Sequence, residues 1–401
     1  MRHGRWAAVR KSGTGGREVE NHQLRARNRS SILSAVIAAR RASRTELADR
    51  TGLSKASVSR VVRDLLQERI VVTSGLPERI ELAHNAFTAC GIDLGVTSCR
   101  FALTNPHGDV LGYDSQRVRA RVPAAELAQW LLDRVERLMP VDSGPVLVTL
   151  GVPAAVDPIT GSITNAVSLP SIESSTFIDV LENRWGSRLR VERGTDLAVE
   201  GECVSDDPDV VGATVLIAMS TDLGWGVALN GSHESIVHHR GGRVGALGSI
   251  PLGIGDLRVG DVLSGSGLMK LAKRRGVTVE HPTDVLTEDD SDSRSIRQAA
   301  RCALELICDV AITAYDPASI RLTGAVSTAL CEEIASINEA CGRRFDSAVS
   351  IRESTIGDLA YVAGALIRSI ERGFKLLSPQ SRTRATTETR RALHQLVLRT
   401  P

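Results

Sequence analysis

The chain has 401 residues, 42% hydrophobic and 24% charged, with a formal net charge of +2. That length allows two or three domains and a sizeable core, and an ordinary apolar fraction excludes a chain disordered throughout. The longest apolar run, Val210 to Met219, is too short to cross a bilayer, and Arg10 and Lys11 interrupt the only candidate leader, so a cytoplasmic protein is expected.

The small net charge conceals a partition. Residues 1–82 hold 17 Lys+Arg against 8 Asp+Glu, residues 83–371 hold 25 against 38, and residues 372–401 hold 7 against 1. A basic head on an acidic body points to a head that meets a polyanion, a solvated basic tail being the plain alternative. The seven cysteines (Cys90, Cys99, Cys203, Cys302, Cys308, Cys331, Cys341) form no C-x-x-C or C-x-C pair. They read as buried small hydrophobes, not as a disulfide framework.

Residues 1–27, rich in Arg and Gly without a hydrophobic period, read as a disordered basic arm. Order is expected from Asn28, where Ile32, Leu33, Val36 and Ile37 mark one face of a helix. Ser43-x-x-Glu46 fits a capping box ahead of a second helix that stops at Gly52, where a left-handed residue costs little. Ser54 is placed to cap a third helix ending near Arg69, with Val58, Val61, Val62, Leu65 and Leu66 on its inner face. Residues 70–82 then read as a β-hairpin around a Ser74-Gly75 turn.

Three short helices and a hairpin over residues 28–82 make a winged helix-turn-helix. Ala48 is small enough for the second and third helices to pack closely, and Leu53 plugs the core. The third helix presents Ser54, Lys55, Ser57, Ser59, Arg60 and Arg63, groups that donate to phosphates and to base edges in a major groove. Arg29, Thr45 and the wing's Arg79 are expected at the same duplex, with the arm (Arg2 to Arg27) and the wing adding phosphate or minor-groove contacts. A helical bundle serving protein contacts is the alternative that the basic charge argues against.

After Phe87 the pattern turns to strands. Residues 90–97, 100–104 and 110–113 form a meander with a turn at Asn105-Pro106-His107-Gly108-Asp109. An amphipathic helix (124–139) and a buried strand (146–153) follow, and helices and strands alternate onwards, which makes the body α/β. A second strand, Gly-turn and hairpin at 215–231 suggests two related lobes. Residues 284–294 read as an exposed acidic loop, and a helix is expected at 388–398.

Taken together, these segments resemble the ROK family (repressor, open reading frame, kinase) from about Asn28 to Arg372. Gly91-Ile92-Asp93-Leu94-Gly95-Val96-Thr97 is similar to its first phosphate loop, and Ser220-Thr221-Asp222-Leu223-Gly224-Trp225-Gly226 stands where its kinases have G-T-G-I-G-G-G. Gly151-Val152-Pro153 with Asp157 and Gly161, Thr195-Asp196 with Glu202, and Ile320 to Ser327 resemble further family segments. The resemblance implies a winged helix-turn-helix followed by a two-lobed actin-like (ribonuclease H-like) sugar-kinase fold. Its boundaries would be a first lobe at 88–196, a second at 197–356, a terminal helix at 357–372 packing on the first lobe or at a dimer contact, and a basic tail at 373–401.

Departures from the family pattern bear on chemistry. Asp196 maps onto the catalytic base, but Val96, Asp222 and Trp225 replace phosphate-loop glycines and would crowd a nucleotide, leaving Asp93, Gly95, Thr97, Thr221, Gly224 and Gly226 as relics. A carboxylate facing phosphate at about 4 Å costs roughly 4 kcal/mol at an effective dielectric of 20. The sugar-gripping Glu and His of the family align with Ala246 and Ser249. No cysteine lies between Cys203 and Cys302, so the implied zinc site lacks its thiolates and no metal or other cofactor is expected. The adjacent pair His238-His239 reads as a polar loop. Ile250, Leu252, Ile254 and Val259 are expected to hold by apolar packing the loop that zinc would clip. Asp157, Asn165, Asp196 and Glu202 either line a cleft for another small ligand or satisfy backbone groups.

These readings converge on a ROK-type regulator, a repressor without kinase activity. Its expected partners are pseudo-palindromic double-stranded DNA, a second copy (homodimer or tetramer) and a small-molecule effector, with no membrane. A sugar kinase carrying a DNA-binding head is the rival from another class, and a regulator answering to a partner protein is a third.

Overall fold

The computed structural model describes residues 14–119, 121–205, 212–230, 247–288, 290–345 and 349–398. Expectations falling on residues 1–13, His238-His239, Ala246 and 399–401 lie outside these. The chain divides into two compact units: Met1–Ala86 with Glu371–Arg384, and Phe87–Ile370 with Ala385–Pro401.

The first unit opens with α1 (Thr14–Ala39), which starts well before Asn28 and so corrects the expected disorder of residues 14–27. Residues 17–27 contain neither Gly nor Pro and are mostly good helix formers, so they extend a helix nucleated further on without needing an apolar stripe. α2 (Arg44–Thr51) begins at the Ser43–Glu46 capping box and ends on Gly52 at φ 69°, whose N–H donates to the Ala48 carbonyl. α3 (Lys55–Gln67) is capped by Ser54, whose side chain accepts from the Ser57 N–H. Val58, Val62 and Leu65 are buried, while Val61, Leu66 and the expected plug Leu53 are only half-buried. β1 (Val71–Ser74) and β2 (Arg79–Leu82) pair as the wing, and a bridge from Ala42 to Ile80 fixes its root.

Residues 371–384 complete this unit. Ser378 is fully buried, its Oγ lies 2.8 Å from the hydroxyls of both Ser30 and Ser34, and it donates to the Ser30 carbonyl at 2.9 Å. The expectation of a basic tail from 373 is therefore corrected.

The second unit is two-lobed. Its first sheet contains β3 (Thr88–Leu94), β4 (Ser98–Thr104), β5 (Val110–Arg117), β6 (Val146–Val152) and β9 (Leu189–Arg193), in the order β5-β4-β3-β6-β9. β7 (Ala155–Val156) and β8 (Ile163–Thr164) form a small ribbon. α4 (Ala124–Leu138) and α5 (Ser175–Trp185) cover one face, burying Leu127, Leu131, Phe177 and Leu181 against Ile92, Phe101 and Leu150. α6 (Gly194–Ser205) crosses the expected lobe boundary at 196 without a break.

The second sheet contains β10 (Ala213–Met219), β11 (Leu223–Leu229), β12 (Ser319–Thr323) and β13 (Ser350–Glu353), in the order β11-β10-β12-β13. In both sheets an antiparallel pair is followed by two parallel strands, so the two lobes share a topology. The helices of this lobe are α7 (Val259–Leu263), α8 (Gly265–Arg274), α9 (Asp284–Thr287), α10 (Ser291–Tyr315), α11 (Ala325–Ala329) and α12 (Cys331–Phe345). The acidic stretch 284–294 is not an exposed loop. Val285 and Leu286 are buried, and Asp290 caps α10 by accepting from the N–H groups of Asp292 and Ser293. Acidic side chains favour a helix N-terminus, which is what this cluster supplies.

α13 (Leu359–Leu377) runs past the expected end at 372. Its first turns cross α6 so closely that a Cβ on Gly364 would lie 1.8 Å from the Leu197 carbonyl oxygen, and one on Gly201 would lie 2.0 Å from that of Ala360. The Arg368 Nη2 donates to buried Glu200 at 3.0 Å across the same crossing. α14 (Thr386–Val397) docks Ala392, Leu393 and Leu396 beside Val110, Val362 and Leu366. None of the seven cysteines is in a disulfide. Cys90, Cys99, Cys308 and Cys341 are buried as expected, whereas Cys203 is half-buried and Cys302 and Cys331 are exposed because they fall on outer helix faces.

Candidate nucleic-acid interface and interlobe cleft

In the head, two caps fix the helix that carries the interface. Glu46 accepts from the Ser43 N–H at 2.8 Å and also pairs with Arg79, and these bonds hold its carboxyl down at about 2. The box is therefore ionised throughout the physiological range. Downstream, Ser54 accepts from Ser57 at 3.2 Å and donates to its hydroxyl at 3.0 Å, so two of the expected DNA contacts also build the start of α3.

The cations separate into two groups. Arg29 makes a bidentate pair with Glu68, Arg44 pairs with Glu78, and Arg79 pairs with Glu46. Lys55, Arg60 and Arg63 are exposed on α3 and have no ion pair among the described residues. Lys55, Ser59 and Arg63 recur at a spacing of four on one helical stripe, with Arg60 beside them. Thr45 is exposed on the first turn of α2. This surface offers uncompensated positive charge and hydroxyl donors on a rigid, capped helix, a chemistry that suits the phosphates and base edges of a duplex.

In the body, a cleft of about 760 Å³ lies between the two sheets. Of the sequence-predicted cleft residues only Asn165 lines it. Asp157 is exposed and accepts from the N–H groups of Ile159 and Thr160, an Asx turn. Asp196 is gripped by Arg193 at 2.5 and 3.0 Å, and the fully buried Glu202 accepts from the Ser354 hydroxyl and the Thr355 N–H. Three of the four thus bond to the protein itself.

The relic loops do line the cleft. Asp93 lies 3.1 Å from Arg100, which also pairs with Asp358. Burial pushes the Asp93 carboxyl up to about 7 against the lowering pull of Arg100. A Cβ on Gly226 would meet the Thr195 carbonyl at 2.2 Å and one on Gly224 would meet the Thr195 methyl at 2.6 Å. The room these glycines leave is taken by the start of α6.

Trp225 lines the cleft, but most of its indole lies elsewhere. Strand alternation turns it into the core with Val215, Ile217 and Val227, its ring centroid 6.1 Å from that of Tyr315. Asp222 is the side chain that fills space. It accepts from Ser168 at 2.5 Å and from Ser266 at 3.2 Å, joining the loop after β8 to the first turn of α8. The first amides of α8, the groups that would hold a phosphate, are already spent: Gly265 donates to Ser220 O, Ser266 to Thr221 O, and Gly267 to the Ser264 hydroxyl. These three amides are therefore not free to hold a nucleotide phosphate.

Nor do the residues fit zinc. No described group of three or more His, Cys, Asp or Glu is placed to hold a metal ion, and the segment that would carry the thiolates is exposed over residues 253–258 except for half-buried Leu257, and packed from Val259 on. Val259, Val262 and Leu263 are buried there, with Ile250 and Leu252 against the same core. Ile254, expected in this packing, is instead exposed.

Sequence reasoning passed over Arg100, Arg193, Asp358, Tyr361 and Lys270, all on the cleft wall. Arg193 alone had a local signal, lying three residues before Asp196. No described helix is long and apolar enough to cross a membrane.

A winged head followed by two topologically matched lobes around a cleft defines a helix-turn-helix protein built on a sugar-kinase-like body. The ROK family profile matches residues 89–369 and the MarR family profile matches residues 26–80. The chain belongs to the ROK family. A protein of Caldicellulosiruptor sp. strain Rt8B.4, provisionally named a xylose repressor, is 23% identical over 73% of this chain and 79% of its own. A solved ROK family transcriptional regulator, described as a homologue of the E. coli MLC protein, superposes with a TM-score of 0.64 at 17% identity, covering 94% of this chain and all of that one. A Streptomyces griseus ROK glucokinase, solved with glucose and AMPPNP, gives 0.55 at 17% identity over 71% of this chain and 99% of that one. At these identities the solved structures show the fold.

Proposed function

We propose that this protein is a sequence-specific DNA-binding transcriptional repressor whose α3 enters the major groove. The observation that carries the reading is the charge on the third helix of the head: Lys55, Arg60 and Arg63 stand exposed without an ion pair on one capped helix, whereas Arg29, Arg44 and Arg79 are each paired with a glutamate. Two copies of the head, brought together in a homodimer, would read two half-sites about one helical turn apart.

The body acts as a regulatory domain, not a kinase. Asp222 and the satisfied first turn of α8 stand where phosphate would be held, and Asp196, itself not on the cleft wall, is paired with Arg193, which is. No zinc is required. A small effector would occupy the cleft, and a coupling of about 1–3 kcal/mol between cleft and head would suffice for regulation. Pentoses are the first candidates to try, given the name of the curated relative.

The test has two arms. Genomic fragments retained by the purified protein are sequenced with and without candidate sugars, and a coupled ADP-release assay is run over the same sugars. Selective retention of a few fragments and no sugar-dependent ADP release are expected. ADP release with some sugar, in a protein that retains no fragment, would replace this reading with that of a kinase.

A further inference from the structure

Among the described residues four carboxylates line the interlobe cleft, and three of them face cations. Asp93 and Asp358 share Arg100, while Asp261 accepts from the Arg258 N–H at 3.0 Å and lies 3.9 Å from the Arg274 guanidinium. Asp222 is exposed and has no ion pair among the described residues. Its two oxygens are divided between the lobes. Oδ2 accepts from Ser168, on the loop after β8, at 2.5 Å, and Oδ1 accepts from Ser266, on the first turn of α8, at 3.2 Å. A carboxylate that takes one hydroxyl on each oxygen is also suited to two neighbouring hydroxyls of a polyol. The same wall offers apolar surface for the C–H face of a ring: Val167, 84% exposed, and half-buried Leu223. Asn165 and Lys270, the latter one turn of α8 beyond Ser266, add polar groups for further ligand oxygens.

We infer that Asp222 is the specificity-determining residue of the cleft: two neighbouring hydroxyls of a neutral polyol donate to its carboxylate in place of those of Ser168 and Ser266. This rests on the reading of the cleft as an effector site and names the side chain that decides which effector fits. The exchange is like for like. Each serine hydroxyl leaves as a ligand hydroxyl arrives, so the carboxylate keeps its donors, and apolar contact with Val167 and Leu223 supplies the net gain. A ligand that lacks one of the two hydroxyls leaves a carboxylate oxygen short of a donor, which discriminates far better than a change in apolar bulk. Asp222 stands where the family's kinases have a phosphate-loop glycine, so the residue that fills the phosphate position supplies the hydroxyl acceptor. Departure of Ser168 also undoes the bond from the loop after β8 to the Asp222 turn. The ligand and this tie between the lobes therefore exclude one another.

The experiment uses the full chain. Calorimetric titration of the wild type with a panel of neutral pentoses and hexoses gives the tightest binder. That sugar and its monodeoxy analogues are then titrated into wild type, Asp222→Ala and Ser168→Ala. Neither side chain is buried, so the variants keep their fold, which unchanged melting curves verify. Asp222→Ala is expected to bind the parent sugar about tenfold more weakly. Two analogues, lacking adjacent hydroxyls, are expected to bind about tenfold more weakly than the parent to wild type and equally with it to Asp222→Ala. Ser168→Ala is expected to bind the parent about threefold more tightly, because a competing donor is gone. If Asp222 only ties the lobes, Ser168→Ala weakens binding as Asp222→Ala does, and the inference is overturned. A sugar that binds Asp222→Ala as it binds wild type also overturns it, while leaving the cleft an effector site read by other residues. If no sugar of the panel binds the wild type, the effector reading falls and the role of Asp222 with it.

Discussion

Three arginines of the head are already engaged by glutamates: Arg29 with Glu68, Arg44 with Glu78, Arg79 with Glu46. A phosphate arriving at Arg29 would displace a carboxylate, and exposed pairs of this kind are worth under about 1 kcal/mol. On the proposed function, Arg60 would meet DNA with no such exchange. Gel-shift titration should show Arg60→Ala losing about 1–3 kcal/mol of operator affinity with relaxed specificity, and Arg29→Ala losing less. In the body, Asp93 has its acid range raised by burial from 3.8 to about 7. Between these values the folded state binds the extra proton, so its contribution to stability is present at low pH and lost as pH rises through 7. Urea midpoints from pH 5 to 8 should fall more steeply for wild type than for Asp93→Asn. The cleft residues were legible in part. Their loops could be found from glycine spacing, but which polar groups face the cavity depends on partners such as Ser168 for Asp222, 54 positions away, which leave no local pattern.

At the scale of elements, what could be read in advance was what the chain signals locally. The capping box at Ser43, the left-handed stop at Gly52 and the N-cap at Ser54 are contained in a few residues each, and the helices they bound stand within a residue or two of the expected limits. The early start of α1 and the full length of α13 escaped, the first because its opening turns carry no apolar stripe, the second because the helix continues where the sequence turns basic. The α6–α13 crossing depends on two glycines, Gly201 against the backbone of Ala360 and Gly364 against that of Leu197. A methyl on Gly364 must displace backbone, not a flexible side chain. Gly364→Ala is therefore expected to destabilise the body by about 1–3 kcal/mol despite the higher helix propensity of alanine, as read from urea unfolding.

At the scale of the whole molecule, the composition already separated a basic head from an acidic body, and the shared topology of the two sheets bears out the repeated strand-and-hairpin pattern. The assignment of residues 371–384 to the head was invisible, because Ser378 meets Ser30 and Ser34 across nearly 350 positions. Ser378→Ala leaves these groups short of a partner. Hydrogen exchange should report faster exchange in α1, by a free energy of about 1–3 kcal/mol, with β3 and β10 unaffected. The same feature has a bearing on biosynthesis. At about 5–20 residues per second, the ribosome needs roughly 15–60 s to travel from residue 86 to residue 384. Throughout that interval the nascent chain owns its three helices and wing but not the segment that seals α1. Complete assembly of the DNA-reading end thus waits for the last stretch of translation, and a message cut short in the body yields a product that lacks it.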